Sequence, residues 1–237
     1  RWGLVVGSVA VALLLAAALS HALALSDAPN GSVVISEVAW MGTGASVWDE
    51  WLELANTTPA TVSLEGWHLV FLDGSPVTLT LGGEVGPLGH FLLERADDAV
   101  ANVAADLVYG AAAPLLNDAG SALVLFDSTG TRIDAVNLDG GPWPAGLATL
   151  AKASMERIDP GAPGADYNWC TNPGVEHQAW DRQGDPIYGT PRARNSCHMA
   201  NRADLSVDKS GPAAALPGSL ITYRIVINNI GAVTATG

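Results

Sequence analysis

Two groups of acidic residues are the first candidates for chemistry in this chain of 237 residues. Asp49, Glu50 and Glu53 lie close together, and Asp134 and Asp139 come later. Glycoside hydrolysis uses two carboxylates at a set separation across a cleft. Nothing in the sequence places these groups on facing walls, and Asp and Glu side chains are mostly solvated. We therefore expect these acids to lie on solvated strand faces and in loops.

Motifs for nucleophilic, phosphate-binding and zinc chemistry are absent from the sequence. It has no Gly-x-Ser-x-Gly elbow, no P-loop and no His-Glu-x-x-His motif. His177 and His198 lie near the two cysteines but lack the paired spacing of zinc ligands. The ligand spacing of an EF-hand loop is also missing, although Ca²⁺ binding by loop acids stays open. The sequence predicts no catalytic residue, no cofactor and no metal site, and hence a protein that is not an enzyme.

Cys170 and Cys197 are the only cysteines. In an oxidising compartment, two cysteines are the number that closes one bridge. The loop between them would otherwise be floppy, because it is rich in Pro and Gly. We therefore predict a structural disulfide between Cys170 and Cys197.

Trp180, Asp181 and Arg182 lie inside the loop that this disulfide would close. An irregular loop on a rigid scaffold is a common place for recognition residues. The flat apolar face of an exposed tryptophan can stack on a sugar ring, whereas most of the eight tryptophans are expected to pack in the core or cover loops. We predict ligand contact by Trp180, Asp181 and Arg182, and core packing by Trp51 and Trp67.

The chain is acidic, with 24 Asp and Glu against 11 Lys and Arg and a formal net charge of −13. Binding of nucleic acid requires neutralisation of phosphates by basic side chains. No basic stripe is present, and the densest basic residues are interspersed with acids in one loop region: Arg182, Arg192, Arg194 and Arg202. The composition therefore excludes nucleic acid as a partner and favours a soluble exported protein.

The amino terminus has the pattern of an export signal. An apolar run at residues 3–19 follows Arg1, and Ala22-Leu23-Ala24 fits the small-x-small cleavage rule. We predict a signal peptide at residues 1–24, with an uncleaved membrane anchor as the alternative, because the run approaches the length that spans a bilayer. Either reading places the rest of the protein outside the cell or on its surface.

The body of the chain has short β-branched or alternating segments separated by turn residues. Strands are expected at 33–40, 49–56, 63–72, 77–81, 89–94, 107–109, 121–127, 131–138 and 154–158, followed by an irregular stretch to residue 195. Asp73-Gly74 is a hairpin signal. Many short strands with closely spaced turns predict an all-β fold, a sandwich or a barrel.

Eight short motifs follow one another along this body. They are Val34-Ile-Ser-Glu-Val38, Glu50-Trp-Leu-Glu-Leu-Ala-Asn56, Val62-Ser-Leu-Glu-Gly-Trp67, Leu115-Leu-Asn-Asp-Ala-Gly-Ser-Ala-Leu-Val-Leu125, Asp127-Ser-Thr-Gly130, Ile133-Asp-Ala-Val136, Ser154-Met-Glu-Arg157 and Gly189-Thr-Pro-Arg-Ala-Arg-Asn195. In this order they resemble the lamin tail domain in its bacterial, secreted form. The resemblance implies an immunoglobulin-like β-sandwich over residues 33–197, after a lead-in at residues 25–32.

Two features depart from that family pattern. Arg192 stands where the closing motif of the family, Thr-Pro-Gly-x-x-Asn, usually has Gly. The stretch from Cys170 to Tyr188 looks like an insertion before this motif, and the disulfide would pin it to the domain edge.

After a linker at residues 198–203, residues 204–237 are similar to the opening of a repeated bacterial surface domain, known as domain of unknown function eleven. Ala203-Asp-Leu-Ser-Val-Asp-Lys209 and Pro217-Gly-Ser-Leu-Ile-Thr-Tyr-Arg-Ile-Val-Ile-Asn-Asn-Ile-Gly231 carry this likeness. It implies the first strands of a second immunoglobulin-like domain, so we expect the given chain to be a fragment of a longer polypeptide.

These features favour a non-catalytic exported or cell-surface module for adhesion, envelope display or spacing. Its partner would be a protein or glycan of the cell envelope or extracellular space, and contact with a membrane would occur only through the amino-terminal signal or anchor. The alternative is an accessory targeting domain of a larger secreted hydrolase or nuclease, because lamin tail domains accompany such enzymes. Further surface repeats downstream would favour the first role, and a catalytic motif the second.

Overall fold

A computed structural model describes residues 31–149, 152–174, 179–198, 205–212, 214, 218 and 220–229. Its strands are β1 (Val33–Ala39), β2 (Trp51–Asn56), β3 (Val62–Ser63), β4 (His68–Phe71), β5 (Val77–Thr80), β6 (Glu84–Val85), β7 (His90–Glu94), β8 (Leu107–Val108), β9 (Leu123–Phe126), β10 (Arg132–Val136), β11 (Met155–Arg157), β12 (Trp169–Thr171), β13 (Ala179–Trp180), β14 (Pro186–Ile187), β15 (Leu205–Ser210) and β16 (Arg224–Asn229). The helices over these residues are two 3₁₀ turns, Gly110–Ala112 and Asp166–Asn168. No helix in the described part of the chain is long and apolar enough to cross a membrane.

Two sheets form the body of the protein. One has six strands in the order β12-β11-β1-β2-β7-β8, and the other has four in the order β10-β9-β4-β5. Neighbouring strands run antiparallel except β7 and β8, which are parallel. The chain is therefore an all-β, immunoglobulin-like β-sandwich, which confirms the predicted fold class.

The hydrophobic core joins side chains from both sheets. Ile35, Leu52 and Leu54 of the larger sheet belong to the same buried cluster as Leu69 and Leu125 of the smaller sheet. Trp51 and Trp67 are also buried in this cluster, as predicted. Burial of apolar side chains between two sheets is the main source of stability in such a fold.

The central strands β1 and β2 are covered on both faces. Every residue of β1 is buried, and so are five of the six residues of β2. Leu52 and Leu54 alternate with Trp51 and Glu53, as the two-residue period of a strand requires. The second face of this sheet is thus not solvated, although alternation of Leu with Glu usually indicates a solvated face.

A β-bulge in β1 decides which face Glu37 occupies. The pairing of β1 with β2 runs from Ile35 opposite Leu54 directly to Glu37 opposite Glu53, so that Ser36 is the extra residue. Without the bulge, Glu37 would lie on the same face as Ile35. The bulge instead places Glu37 beside Glu53 on the face away from the smaller sheet.

The expected strand at residues 63–72 is wrong as one element. Ser63 ends β3, and β4 begins only at His68. Between them Gly66 has a φ of 72°, a left-handed conformation that glycine adopts readily, and the Trp67 amide donates to the carbonyl of Leu64. This turn sends the chain from a small β3–β6 ribbon into the four-stranded sheet. By contrast, the hairpin expected at Asp73-Gly74 is confirmed by the pairing of β4 with β5.

The stretch from residue 159 to 195 is also more regular than expected. Its first strand, β12, pairs with β11 and forms one edge of the six-stranded sheet. Its other two strands, β13 and β14, form a separate hairpin. Cys170 lies within β12, so the expected insertion begins inside the sheet rather than after it.

Strands β15 and β16 pair with each other as an antiparallel hairpin over six residue pairs. Val207, Ile225 and Ile227 of this hairpin are exposed. The predicted signal peptide lies outside the described residues.

Candidate functional site

Trp180 lies at the end of β13, in the hairpin of the disulfide loop. Its backbone amide donates to Oδ1 of Asn102 at 2.8 Å, and its carbonyl accepts a hydrogen bond from the amide of Ala101 at 2.8 Å. These bonds fix the hairpin to the loop that follows β7. The side chain of Trp180 remains 43% exposed. An indole that is exposed on a backbone fixed by hydrogen bonds can present its flat face to a ligand.

Asp181 occupies a different environment from its neighbour. Its side chain is buried and accepts hydrogen bonds from the backbone amides of Ala45, Gln183 and Asp185, at 2.9, 2.9 and 3.0 Å. The carboxylate therefore closes the β13–β14 turn and ties it to the loop after β1. The predicted ligand contacts of Trp180, Asp181 and Arg182 stay predictions, and the geometry leaves Trp180 and Arg182 as the more accessible side chains.

Arg182 connects this hairpin to the start of β2. Its Nη1 lies 3.5 Å from Oδ1 of Asp49 and 3.8 Å from Oδ1 of Asp98. Asp49 is buried and also accepts a hydrogen bond from the Thr43 hydroxyl at 3.1 Å. Burial raises the pKa of Asp49, and the hydrogen bond from Thr43 and the charge of Arg182 oppose that rise.

Trp48 is a second exposed tryptophan in this region, and its position was not predicted. It directly precedes Asp49, is 56% exposed, and has the Arg95 guanidinium 5.5 Å from its ring centre. Arg95 is itself fixed by hydrogen bonds to the carbonyls of Gly110 and Ala113. We call the set Trp48, Arg95, Asp98, Trp180 and Arg182 the tryptophan surface. Only the nearness of Trp48 to other tryptophans in sequence could have indicated it.

A disulfide joins Cys170 and Cys197, as predicted, with a Cα–Cα distance of 6.5 Å. It connects the edge strand β12 to residues 189–198, which we call the closing segment. Glu156 lies next to this bond, since Cys170 is its partner across the β11–β12 pair and the Cys197 amide donates to its Oε2 at 3.2 Å. With both cysteines oxidised, these three residues are not a metal-ligand set.

The expectation of solvated acids is wrong for four of the five candidates. Asp49, Glu50, Glu53 and Asp134 are buried, and only Asp139 is exposed. Burial of a charge is costly unless the group is paired or hydrogen-bonded. Each buried acid has such partners, and at least one partner of each comes from a distant part of the chain.

Glu53, Glu37 and Glu156 form a row across three neighbouring strands. Glu37 of β1 lies opposite Glu53 of β2 on one side and opposite Glu156 of β11 on the other. Burial raises the pKa of Glu37 well above its usual range, and the charges of Glu156 and Glu53 raise it further. Two carboxylates in close contact disfavour simultaneous ionisation, so Glu37 holds its proton to unusually high pH.

The closing segment covers this glutamate row. The Thr190 amide donates to Oε1 of Glu37 at 2.8 Å, and the Arg192 amide donates to Oε2 of Glu53. The Ser196 hydroxyl donates to Oε2 of Glu156 at 2.6 Å. The three glutamates therefore hold the closing segment against the six-stranded sheet through hydrogen bonds.

Arg192 has a backbone φ of 59°, in the left-handed region. Glycine is the residue that adopts this conformation most readily, so a non-glycine residue here carries backbone strain. The Arg192 side chain contacts the loop before β8: its Nε and Nη2 donate to the Ala104 carbonyl, and Nη2 pairs with Asp106 at 2.5 Å. These contacts offset part of the strain.

A buried ion pair links the two sheets. The Arg157 guanidinium of β11 binds the Asp134 carboxylate of β10 through two bonds, at 2.5 and 3.0 Å. Asp134 also accepts a hydrogen bond from the Ile35 amide at 2.8 Å, and the Arg157 guanidinium lies 5.7 Å from the ring centre of Trp169. Both members of the pair thus have several polar partners besides each other or an aromatic ring beside them.

Glu50 and Glu94 are buried near the tryptophan surface, and each holds a loop. The Glu50 carboxylate accepts the Leu116 amide at 3.0 and 3.1 Å, and Glu94 accepts the Val100 amide at 3.3 Å. Burial raises the pKa of Glu50 to about 8 and that of Glu94 to about 7. Raised carboxyl pKa values also occur in acid–base catalysts, but neither side chain is open to solvent, so both act on the loops that they hold.

Comparison with known protein families supports an immunoglobulin-like fold for the first part of the sandwich. No curated protein matches this chain. The strands from β1 to β10 fall within the matched range of a family model, whereas β11, β12 and the closing segment follow it. Residues 26–139 match the family model described as Lamin Tail Domain, an immunoglobulin-like module.

Proposed function

We propose that this protein is a non-catalytic, exported or cell-surface module that recognises an extracellular protein or glycan through its tryptophan surface. The observation that carries this proposal is the pair of exposed indoles, Trp48 and Trp180, on a rigid sandwich. Arg182 bridges the hairpin that carries Trp180 to Asp49, the neighbour of Trp48. Exposed aromatic and Arg side chains on a backbone that is fixed by hydrogen bonds are typical of binding sites.

Export is supported by two features of the chain. The Cys170–Cys197 disulfide belongs in an oxidising compartment, and the amino-terminal sequence has the pattern of a signal peptide. The acidic composition agrees with a solubility requirement and disfavours nucleic acid.

We further propose that residues 33–197 form the first domain and that residues 198–203 link it to a second immunoglobulin-like surface repeat. The β15–β16 hairpin would supply the opening strands of that repeat. Its exposed Val207, Ile225 and Ile227 support this reading, because a two-stranded sheet needs further strands to cover an apolar face.

The test is a glycan and cell-envelope binding screen on the oxidised protein, with Trp180→Ala and Trp48→Ala beside the wild type. We expect the two variants to weaken binding by at least about tenfold each, as loss of a central aromatic contact usually does. Tyr167→Ala is the matched control, since Tyr167 is 74% exposed and lies outside the tryptophan surface. Equal binding by the wild type and both tryptophan variants would contradict this site, and absence of any binding would contradict the recognition role.

A further inference from the structure

A cavity of about 200 Å³ lies between the end of β1, the start of β2 and the β13–β14 hairpin. Its walls also include the loop after β1 and the residues just before β11. One water needs about 10–15 Å³ of such space, and pockets for drug-sized ligands begin near about 300 Å³. The cavity therefore has the size for a small metabolite.

Backbone hydrogen bonds hold the walls of this cavity together. The Ser154 amide donates to the carbonyl of Tyr188 at 2.9 Å, which joins the residues before β11 to the end of the hairpin. The Ala45 amide donates to Oδ2 of Asp181 at 2.9 Å, which joins the loop after β1 to the same hairpin. Walls that are already ordered lower the entropic cost of ligand binding.

The Trp51 indole brings a hydrogen-bond donor without an acceptor to this cavity. Trp51 is fully buried, and its Nε1 has no hydrogen-bond partner among the described residues. Nε1 and Cζ2 lie on the same edge of the ring, and that edge packs against Gly189, where a Cβ would lie 2.7 Å from Cζ2. Gly189 directly follows Tyr188, another residue of the wall. Buried N–H groups are nearly always paired, so this one favours an acceptor from outside the chain.

Lys152 and Asp185 bring opposite charges to the same cavity. Lys152 is half-buried and its Nζ donates to the Met41 carbonyl at 2.8 Å, which uses one of its three protons. Asp185 is exposed. Over the part of the chain that the structure describes, the two side chains form no ion pair with each other. An ammonium with unused protons and a separate carboxylate therefore line one space.

Other side chains of the wall are either used by the fold or apolar. Ser154 and Thr43 donate their hydroxyl protons to buried carboxylates, at 2.5 and 3.1 Å. Ala39, Met41 and Ile187 are buried and apolar. The cavity thus offers a short apolar side chain a place beside its charged groups.

We propose that this cavity binds a small zwitterion, a free α-amino acid with a short side chain. Its carboxylate would accept hydrogen bonds from Trp51 Nε1 and from the Lys152 ammonium, and its amino group would donate to the Asp185 carboxylate. A ligand with both charges gives each side chain a counter-charge, whereas a simple anion or cation would serve only one of them. This site goes beyond the proposed function, and none of its residues belongs to the tryptophan surface.

The experiment is an NMR titration of the oxidised full chain with L-alanine, following the indole N–H signal of Trp51. Propionate and ethylamine are the matched probes, since the first lacks the amino group and the second lacks the carboxylate. We expect a saturable downfield shift with L-alanine, because the indole N–H gains a charged acceptor. Propionate and ethylamine should each bind at least about tenfold more weakly.

Two variants test the charged side chains. Asp185→Asn and Lys152→Met should each weaken the affinity for L-alanine about tenfold. Asp73→Asn and Lys209→Met are the matched controls, because they remove the same charges from exposed positions outside the cavity and should leave the affinity unchanged. The exposed position of Asp185 keeps its variant folded even where loss of the Lys152 hydrogen bond destabilises the other.

Three results would overturn the proposal. The first is the absence of a saturable shift of the Trp51 indole signal with L-alanine. The second is binding of propionate or ethylamine as tight as that of L-alanine, which would show that one of the two charges adds nothing. The third is an Asp185→Asn variant that binds L-alanine as the wild type does. Trp180→Ala should bind L-alanine normally, so failure of this site and failure of the tryptophan surface are distinguishable.

Discussion

Glu37 lies directly opposite Glu156 in the β1–β11 pair, and the hydroxyl of Thr190 is within hydrogen-bond distance of both carboxyl groups, at 2.9 and 3.2 Å. A hydroxyl has one proton to donate, so a proton on Glu37 allows all three groups to be satisfied together. The raised pKa of Glu37 agrees with this arrangement. A protonated glutamate thus helps to hold a segment that follows it by about 150 residues in the chain.

Replacement of Thr190 by Val should destabilise the protein by about 1–3 kcal/mol, because buried carboxyl oxygens lose a partner while the shape of the side chain is kept. Urea unfolding followed by fluorescence measures the change. Thr78→Val is the control, since Thr78 is exposed on β5 and the same substitution there should change stability by less than about 0.5 kcal/mol. Equal effects at the two positions would show that the contacts of Thr190 add nothing.

The left-handed backbone at Arg192 predicts an unusual order of stability among its variants. Arg192→Gly should be more stable than Arg192→Ala by about 1 kcal/mol, because both lose the side-chain contacts and only glycine adopts a φ of 59° without strain. At Arg194, which is not among the residues with positive φ, the Ala variant should be at least as stable as the Gly variant. Thermal unfolding of the four variants tests the comparison, and the same order at both positions would refute it.

The Asp134–Arg157 pair should be far more important for stability than a surface ion pair. Asp134→Asn leaves a buried guanidinium without its counter-charge, for which a loss of about 3–5 kcal/mol is expected. Asp98→Asn, at the exposed contact with Arg182, should cost less than about 1 kcal/mol. The double variant Asp134→Ala/Arg157→Met should lose less stability than the single variants Asp134→Ala and Arg157→Met lose in sum. Additive losses would mean that the two side chains do not act as a pair.

Glu50 and Glu94 predict a loss of stability as the pH rises. In the unfolded chain both carboxyls titrate near their ordinary pKa of 4.5, whereas in the folded protein the values are about 8 and about 7. The folded state therefore holds protons that the unfolded state has released. This contribution is fully present below pH 4.5 and is lost as the pH rises through 7 and 8, by at most about 1.4 kcal/mol per pH unit for each group.

Urea unfolding between pH 5 and 8 measures this dependence. Glu50→Gln cannot ionise, so its stability should fall less steeply with pH than that of the wild type. Glu84→Gln is the control, because Glu84 is exposed on β6 and its removal should leave the slope unchanged. A wild-type stability that rises with pH over this range would show that other groups outweigh Glu50 and Glu94.

Local patterns in the sequence were sufficient for much of the sandwich. Alternating and β-branched segments predicted most of the strands that form the two sheets, and Asp73-Gly74 predicted the hairpin between β4 and β5. These features depend on residues that are close in sequence, so the sequence alone is sufficient to predict them. The disulfide was predictable as well, because a chain with only two cysteines can close only one bridge within itself.

The environment of the acids could not be predicted in the same way. Glu53 alternates with Leu52 and Leu54 as a solvated residue would, and its burial depends on the closing segment, whose Arg192 follows it by 139 residues. The bulge at Ser36 moves Glu37 to the same face, and β11 adds Glu156 beside it. Sequence by itself determined most of the strands, the turn at Asp73-Gly74 and the single disulfide, since these follow from short-range periodicity and cysteine number. Only the tertiary structure decided that the three glutamates are buried and hydrogen-bonded to the closing segment, because these contacts join segments far apart in the chain.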